Sequence, residues 1–248
     1  MLSRNPLLSR RAAVLGGVVG AAEAVSGRAV ARAAVGGESG GGVRVMPLGD
    51  SLTDGFTPYP GGYRVELWRL LTAGGRAVDF VGSRSNGPAE LGDHDHEGHP
   101  GWRIDQVDAH VGAWLRQSEP RTVLLLIGTN DMNQNLDVAA APDRLSGLID
   151  RITGVAPRCD LFVATVPPEA DRARQARVVA YNAEVPRVVA AKGPRVHLVR
   201  MYEALTTADL ADGTHPTREG YGKMAAVWYA ALRSVPGCLT AYAGRAGG

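Results

Sequence analysis

Apolar residues along the chain follow two alternating patterns, short unbroken runs and longer stretches in which they return every third or fourth position. The first is the pattern of strands buried on both faces, and the second that of helices with one apolar side. The runs predict strands over residues 43–48, 77–82, 122–127, 161–166 and 196–199. Between them the spacing predicts helices over 63–72, 104–117, 142–153, 171–191 and 217–234. In the second of these, Ile104, Val107, Val111, Trp114 and Leu115 share a face. Gly154 stands where the third should stop, and Pro186 should kink or divide the fourth. Strands alternating with helices predict a three-layer α/β/α sandwich around a five-stranded parallel sheet of flavodoxin-like order. In such sheets, ligands bind beyond the carboxyl ends of the strands.

The first 33 residues break this pattern. Arg10 and Arg11 precede an Ala/Gly/Val run interrupted by Glu23, and small-x-small sites follow at Ala29-Val30-Ala31 and Ala31-Arg32-Ala33. That order predicts an export signal over 1–33, similar to the twin-arginine type, and a secreted, extracellular protein. A disordered tail on a cytosolic protein is the alternative. The run is too short and glycine-rich for a lasting anchor, so no membrane association is expected after cleavage. A glycine-rich lead-in over 34–42 then opens onto one domain over 43–248.

Composition supports a single core, since 248 residues with 45% hydrophobic content and ordinary charge show no second domain. The leader holds five of the 27 basic residues and one of the 25 acidic ones. The remaining 22 and 24 give a net charge of −2, which argues against a nucleic-acid partner.

The segments just past the strands carry the chemistry. Gly49-Asp50-Ser51-Leu52-Thr53-Asp54-Gly55 comes after the first, Gly128-Thr129-Asn130-Asp131 after the third, and Asp212-Gly213-Thr214-His215-Pro216 lies beyond the fifth. A serine just past a strand supplies a nucleophile. An aspartate three residues before a histidine can hold one imidazole nitrogen while the other faces the serine. Each motif alone is weak, because a lone Gly-Asp-Ser is usually a turn and a lone Asp-x-x-His a solvated loop. Their joint placement at strand ends makes Ser51, His215 and Asp212 the candidate nucleophile, base and orienting carboxylate.

These three motifs, in this order from Met46 to Pro216, resemble blocks I, III and V of the SGNH or GDSL-type hydrolases. The resemblance implies a serine esterase without cofactor or metal. No Gly-x-Ser-x-Gly surrounds Ser51, so the α/β-hydrolase alternative loses support. The family also uses a block II glycine. Here the stretch 93–107, DHDHEGHPGWRIDQV, places Gly101 at the end of an irregular loop and just before a helix. The resemblance implies an oxyanion site made by the Ser51 and Gly101 N–H groups and the Asn130 amide. The DHEGHPGW segment, GGYR after block I and DFVGS on the second strand are similar to carbohydrate esterase family three, the acetylxylan-esterase branch.

That finer resemblance implies removal of acetyl groups from a xylan-like polysaccharide, with acetylated polysaccharide or a small ester as partner; a monomer is the expectation, the sequence itself leaving oligomeric state open. A lipase or thioesterase of the same superfamily is one alternative, although Gly-, His- and Asp-rich loops disfavour long acyl chains. A catalytically inactive carbohydrate-binding domain on the same fold is another. His94, His96 and His99 with their carboxylates could bind zinc. They lie on one short segment with no helical i, i+4 pair, however, and no second cluster completes a shell. A polar loop lining the cleft, its side chains hydrogen-bonding one another and a hydroxyl-rich ligand, is the expectation instead.

Asp50, His99, Trp102 and Met132 are candidate substrate contacts, with Asp50 and Asp54 also able to shape the turn and Trp102 either to stack on a sugar or to pack. His110 and His197 read as structural, Arg174 and Arg177 as a solvated helix face, and Pro167-Pro168 as a stiff cleft wall. Cys159 and Cys238 are the only cysteines. Export and topology, which puts both at the sheet edge away from the site, predict a disulfide between them, with two separate buried thiols as the competing view.

Overall fold

The computed structural model describes residues 41–56 and 58–240. The predicted export signal, its cleavage sites and most of the glycine-rich lead-in lie outside the described residues. The central strand β1 (Val43–Gly49) runs directly into a single helical turn, α1 (Ser51–Asp54), followed by α2 (Tyr63–Ala73) and β2 (Val78–Phe80). Next come β3 (Arg84–Ser85), β4 (Asp95–Gly98), α3 (Ile104–Ser118), β5 (Thr122–Leu126) and the short α4 (Thr129–Asn133). The chain continues through α5 (Ala141–Val155), β6 (Asp160–Ala164), α6 (Arg172–Ala190), β7 (Val196–Val199) and α7 (Arg218–Ser234).

The five expected strands are all present and parallel, in the order β2-β1-β5-β6-β7, which is the flavodoxin-like order expected. Every residue of β5 and β6 is buried, as their unbroken apolar runs require. The edge of β1 is shared. β2 pairs with its first half, Val43 opposite Val78, and β4 with its second, Leu48 opposite Glu97 and Gly49 opposite Gly98. β3 then pairs antiparallel with β4. The stretch read as an irregular loop therefore contains a strand. It escapes a hydropathy reading because Asp95, His96, Glu97 and Gly98 are buried by hydrogen bonding instead of by apolar contact.

Right-handed crossovers put α2 on one face of the sheet and α3, α5 and α6 on the other. The packing agrees, for α7 lies against α2, while α3 contacts α5 and α5 contacts α6. Trp228 of α7 is fully buried beside Tyr63 of α2, their ring centroids 6.0 Å apart. Pro186 does not divide α6, which continues to Ala190. One missing N–H removes one rung of the ladder, and the buried face of Val178, Tyr181, Val185, Val188 and Val189 holds the remainder.

The expected disulfide is absent. Cys159 and Cys238 are both buried free thiols, with Cys159 Sγ directed to the Asp160 carbonyl and Cys238 Sγ to that of Leu232. The topological half of that expectation holds. Thr122, at the start of β5, donates to the Cys238 carbonyl and pairs with Asp160, so both cysteines stand at the amino-terminal edge of the sheet. Among the described residues, no helix is long and apolar enough to cross a membrane.

Candidate active site

Ser51 is the first residue of α1, at the carboxyl end of β1. Asp50 caps that turn by accepting from the Leu52 N–H at 2.9 Å, which fixes the serine where strand becomes helix. Across the cleft, residues 210–216 form a closed loop pinned by a bridge between Leu210 and Pro216 and by Ala211 N–H donating to the His215 carbonyl. Within it, Asp212 Oδ1 accepts from the Thr214 and His215 N–H groups at 3.0 and 2.7 Å, a turn that brings the two side chains together. Asp212 Oδ2 then lies 2.8 Å from His215 Nδ1, and His215 Nε2 lies 3.0 Å from Ser51 Oγ. The three residues chosen from sequence are one connected chain of hydrogen bonds.

Partial burial works against the Asp212 carboxylate. The two backbone N–H groups and the imidazole outweigh it and hold its pKa below the ordinary range. The carboxylate is thus anionic and fixes the proton of the neutral imidazole on Nδ1, leaving Nε2 to accept from the serine. The Phe56 ring stacks on His215, with centroids 4.0 Å apart and planes inclined by 12°.

Gly101 and Asn130 stand at the ends of β4 and β5, the two strands flanking β1. Gly101 has φ +80 and open space where a side chain would begin, so its backbone conformation, not crowding, selects glycine. The Asn130 amide donates to the Trp102 carbonyl at 3.0 Å and to Asp50 Oδ2 at 3.3 Å. Asp50 is wholly buried. Burial pushes its pKa from 3.8 up to about 7, opposed by the Leu52 N–H and assisted by the nearby Asp131 carboxylate.

The acidic, histidine-rich segment, expected to line the cleft with its polar side chains hydrogen-bonded to one another, is folded on itself. Glu97 accepts from Ser83 N–H and Oγ and lies 2.6 Å from His99 Nε2, while Asp93 accepts from the Phe80 N–H. His99 is buried against the Trp102 and Trp114 rings, at 4.3 and 4.7 Å, the two tryptophans themselves 6.0 Å apart. His96 accepts from the Gly98 N–H on Nδ1 and is kept neutral by burial, with its pKa lowered to about 2. His94 Nε2 meets the Pro88 carbonyl. The three imidazoles thus serve three separate partners. Gly98 admits a close approach, since a side chain there would begin 2.5 Å from the Asp54 nitrogen.

Trp102 packs within this aromatic group while keeping part of its surface exposed, and Met132 is fully buried in the core, so Met132 does not present itself as a substrate contact. His110 hydrogen-bonds the Gln106 carbonyl one helical turn back, and His197 meets Asp160. Arg174 is on an exposed face, but Arg177 departs from the expected solvated position and donates to the Met132 carbonyl at 2.6 Å.

Two residues that sequence reasoning missed hold the site together. Arg64 is fully buried and donates to the carbonyls of Thr53, Asp54, Asn86 and His94, tying α1 to the segment before β4. Its signal was the GGYR segment at 61–64, which carries part of the resemblance but does not say that the arginine is buried. Glu169, buried just after Pro167-Pro168, accepts from Thr214 Oγ1 at 2.8 Å and from Asn133 Nδ2 at 2.9 Å. It thereby joins the histidine loop to α4, and the neighbouring Ala170 N–H donates to the Gly213 carbonyl.

The model of the GDSL-like Lipase/Acylhydrolase family matches residues 48–223. Among solved structures, the chain is similar to a family 3 carbohydrate esterase from Clostridium thermocellum, at 39% identity and TM-score 0.71, over 77% of this chain and 96% of that one. It is also similar to a carbohydrate esterase family 3 protein from Talaromyces cellulolyticus, at 26% identity and TM-score 0.69, over 77% and 97%. A multidomain esterase from Ruminococcus flavefaciens is 29% identical over 231 residues, covering 81% of this chain. The match takes in only 29% of that esterase's length.

Proposed function

The chain belongs to the GDSL-like lipase/acylhydrolase family, its domain being a carboxylic ester hydrolase, and on that basis we propose that it removes acetyl groups from a polysaccharide through an acyl-enzyme on Ser51. The observation that carries the reading is the Ser51–His215–Asp212 chain, at 3.0 and 2.8 Å. His215 Nε2 takes the serine proton as Oγ attacks the acetyl carbonyl carbon, and Asp212 stabilises the imidazolium that forms. The tetrahedral oxyanion is met by the Ser51 and Gly101 N–H groups and the Asn130 amide. An incoming oxygen competes for the amide proton that makes the longer, 3.3 Å contact with Asp50. His215 next protonates the departing sugar hydroxyl. Water, deprotonated by the same nitrogen, attacks the acetyl-serine and releases acetate.

The substrate class rests on the two similar carbohydrate esterases and on cleft loops rich in glycine and charge. Export is part of the same proposal, supported by the paired arginines and the small-x-small sites in the leader. Rates over p-nitrophenyl esters of increasing acyl length, beside acetate release from acetylated xylan, test the substrate. A steep fall beyond acetyl together with acetate release is expected, and a preference for long chains would select a lipase. A pre-steady-state burst of p-nitrophenol tests the acyl-enzyme.

A further inference from the structure

The N-termini of α2 and α7 stand side by side at the carboxyl end of the sheet and frame a cleft of about 480 Å³. Tyr59, Val65, Pro88 and Tyr221 give it apolar surface, Glu66 and Arg218 line it as well, and the Arg218 guanidinium lies 5.9 Å from the Tyr59 ring centroid. None of these residues takes part in the chemistry described above. The cleft nevertheless adjoins the catalytic centre. The Phe56 N–H lies 3.4 Å from the Tyr221 hydroxyl, while the Phe56 ring covers His215. At the cleft floor, a side chain on Gly62 would begin 3.0 Å from the Tyr221 ring and 3.3 Å from the carbonyl of Leu52, the residue after the nucleophile.

The layering decides which part of a substrate could reach it. Gly101 leads into α3 and Asn130 belongs to α4, which packs on α6, so the oxyanion donors lie toward the face carrying α3, α5 and α6. The cleft lies on the opposite face, with α2 and α7. His215 must protonate the departing alcohol oxygen, and Phe56, which covers His215, leads toward the cleft. An alcohol half extending from His215 past Phe56 would reach the cleft. On the proposed carbohydrate-esterase reading, that half is a sugar within a chain.

We infer that the cleft bounded by Tyr59, Val65, Pro88 and Tyr221 is a subsite for a sugar residue adjoining the acetylated one. A pyranose presents C–H groups on its faces and hydroxyls around its rim. The Tyr59 and proline surfaces suit the faces, and Glu66 and Arg218 suit the rim. The enzyme is thereby selective for acetylated oligosaccharides over a single acetylated sugar.

Gly222 offers a direct test, because it lines the cleft from within α7 and has nothing within 4 Å of where a side chain would begin. Gly222→Trp should fill the subsite without disturbing the helix, and Tyr59→Ala should remove its stacking surface. Both variants are to be assayed on acetylated xylo-oligosaccharides, an acetylated monosaccharide and p-nitrophenyl acetate, with p-nitrophenyl hexanoate as a control for acyl length. The expected result is a fall of about tenfold in kcat/KM on the oligosaccharides, the size of one lost stacking contact, with the other two substrates within about twofold. Equal losses on all three substrates, or no loss on any, would overturn the subsite. So would a selective loss on p-nitrophenyl hexanoate, which would make the cleft an acyl pocket. If the wild-type enzyme cleaves p-nitrophenyl acetate and releases no acetate from any acetylated sugar, the carbohydrate reading fails and the subsite with it.

Discussion

His215 sits between a serine at 3.0 Å and a carboxylate at 2.8 Å, and each neighbour has a separable consequence. Ser51→Ala or His215→Ala should abolish nearly all turnover of p-nitrophenyl acetate, a loss of about 10⁴-fold or more, with an unchanged circular dichroism spectrum. Asp212→Asn should cost on the order of 10³- to 10⁴-fold, because an amide no longer selects the Nδ1–H tautomer. Retained activity in the first two variants would remove the assignment. Asp50 is a different kind of neighbour. Its folded pKa is raised from 3.8 to about 7, so the unfolded chain gives up this proton first. Its contribution is fully present below pH 3.8 and is lost as pH rises toward about 7. Asp50→Asn should therefore make the urea midpoint vary less between those limits than it does in the wild type. Some slope should persist, since burial shifts Asp131 and Glu169 upward as well. Identical slopes in both proteins would show that Asp50 does not titrate in this range.

Among the elements, the histidine loop has no regular structure of its own and borrows its position from neighbours. Glu169 grips Thr214 from the end of β6, while Thr217 caps α7 by accepting from the Gly220 N–H. Glu169→Ala should lower kcat on p-nitrophenyl acetate by roughly ten- to a hundredfold with KM little changed, as small misplacements of a catalytic group do. Thr214→Val should reproduce a milder form, and normal kcat in both would mean that the Asp212 turn and the loop's backbone bonds hold the histidine without Glu169. This connection was invisible in the sequence, because a glutamate after Pro167-Pro168 reads as surface until the fold buries it. Strand β4 was invisible for a related reason. Hydropathy registers apolar burial, whereas Glu97 and His99 are buried by each other and by Ser83. The strands and long helices were legible because Leu124, Leu125 and Leu126, or Leu145, Leu148 and Ile152, state their environment by spacing alone.

For the fold as a unit, strand order and crossover handedness are enough to place Ser51, Asn130 and the histidine loop at one end of the sheet. The same reasoning places both cysteines at the other end, yet shared location does not make a bond. Burial pushes the Cys159 thiol up to about 12 and that of Cys238 up to about 11, so neither is a ready nucleophile in the folded protein. Thiol titration should find no fast-reacting sulfhydryl in the native protein and two after denaturation without reductant. One or none after denaturation would mean that a covalent link forms despite the buried, separate arrangement. The distribution of the triad along the chain has a further consequence for biosynthesis. Nucleophile and base are 164 residues apart, the serine just past the central strand and the histidine just ahead of the last helix. A ribosome-bound chain thus displays its serine long before His215 is made, and products cut short ahead of residue 215 should carry no esterase activity.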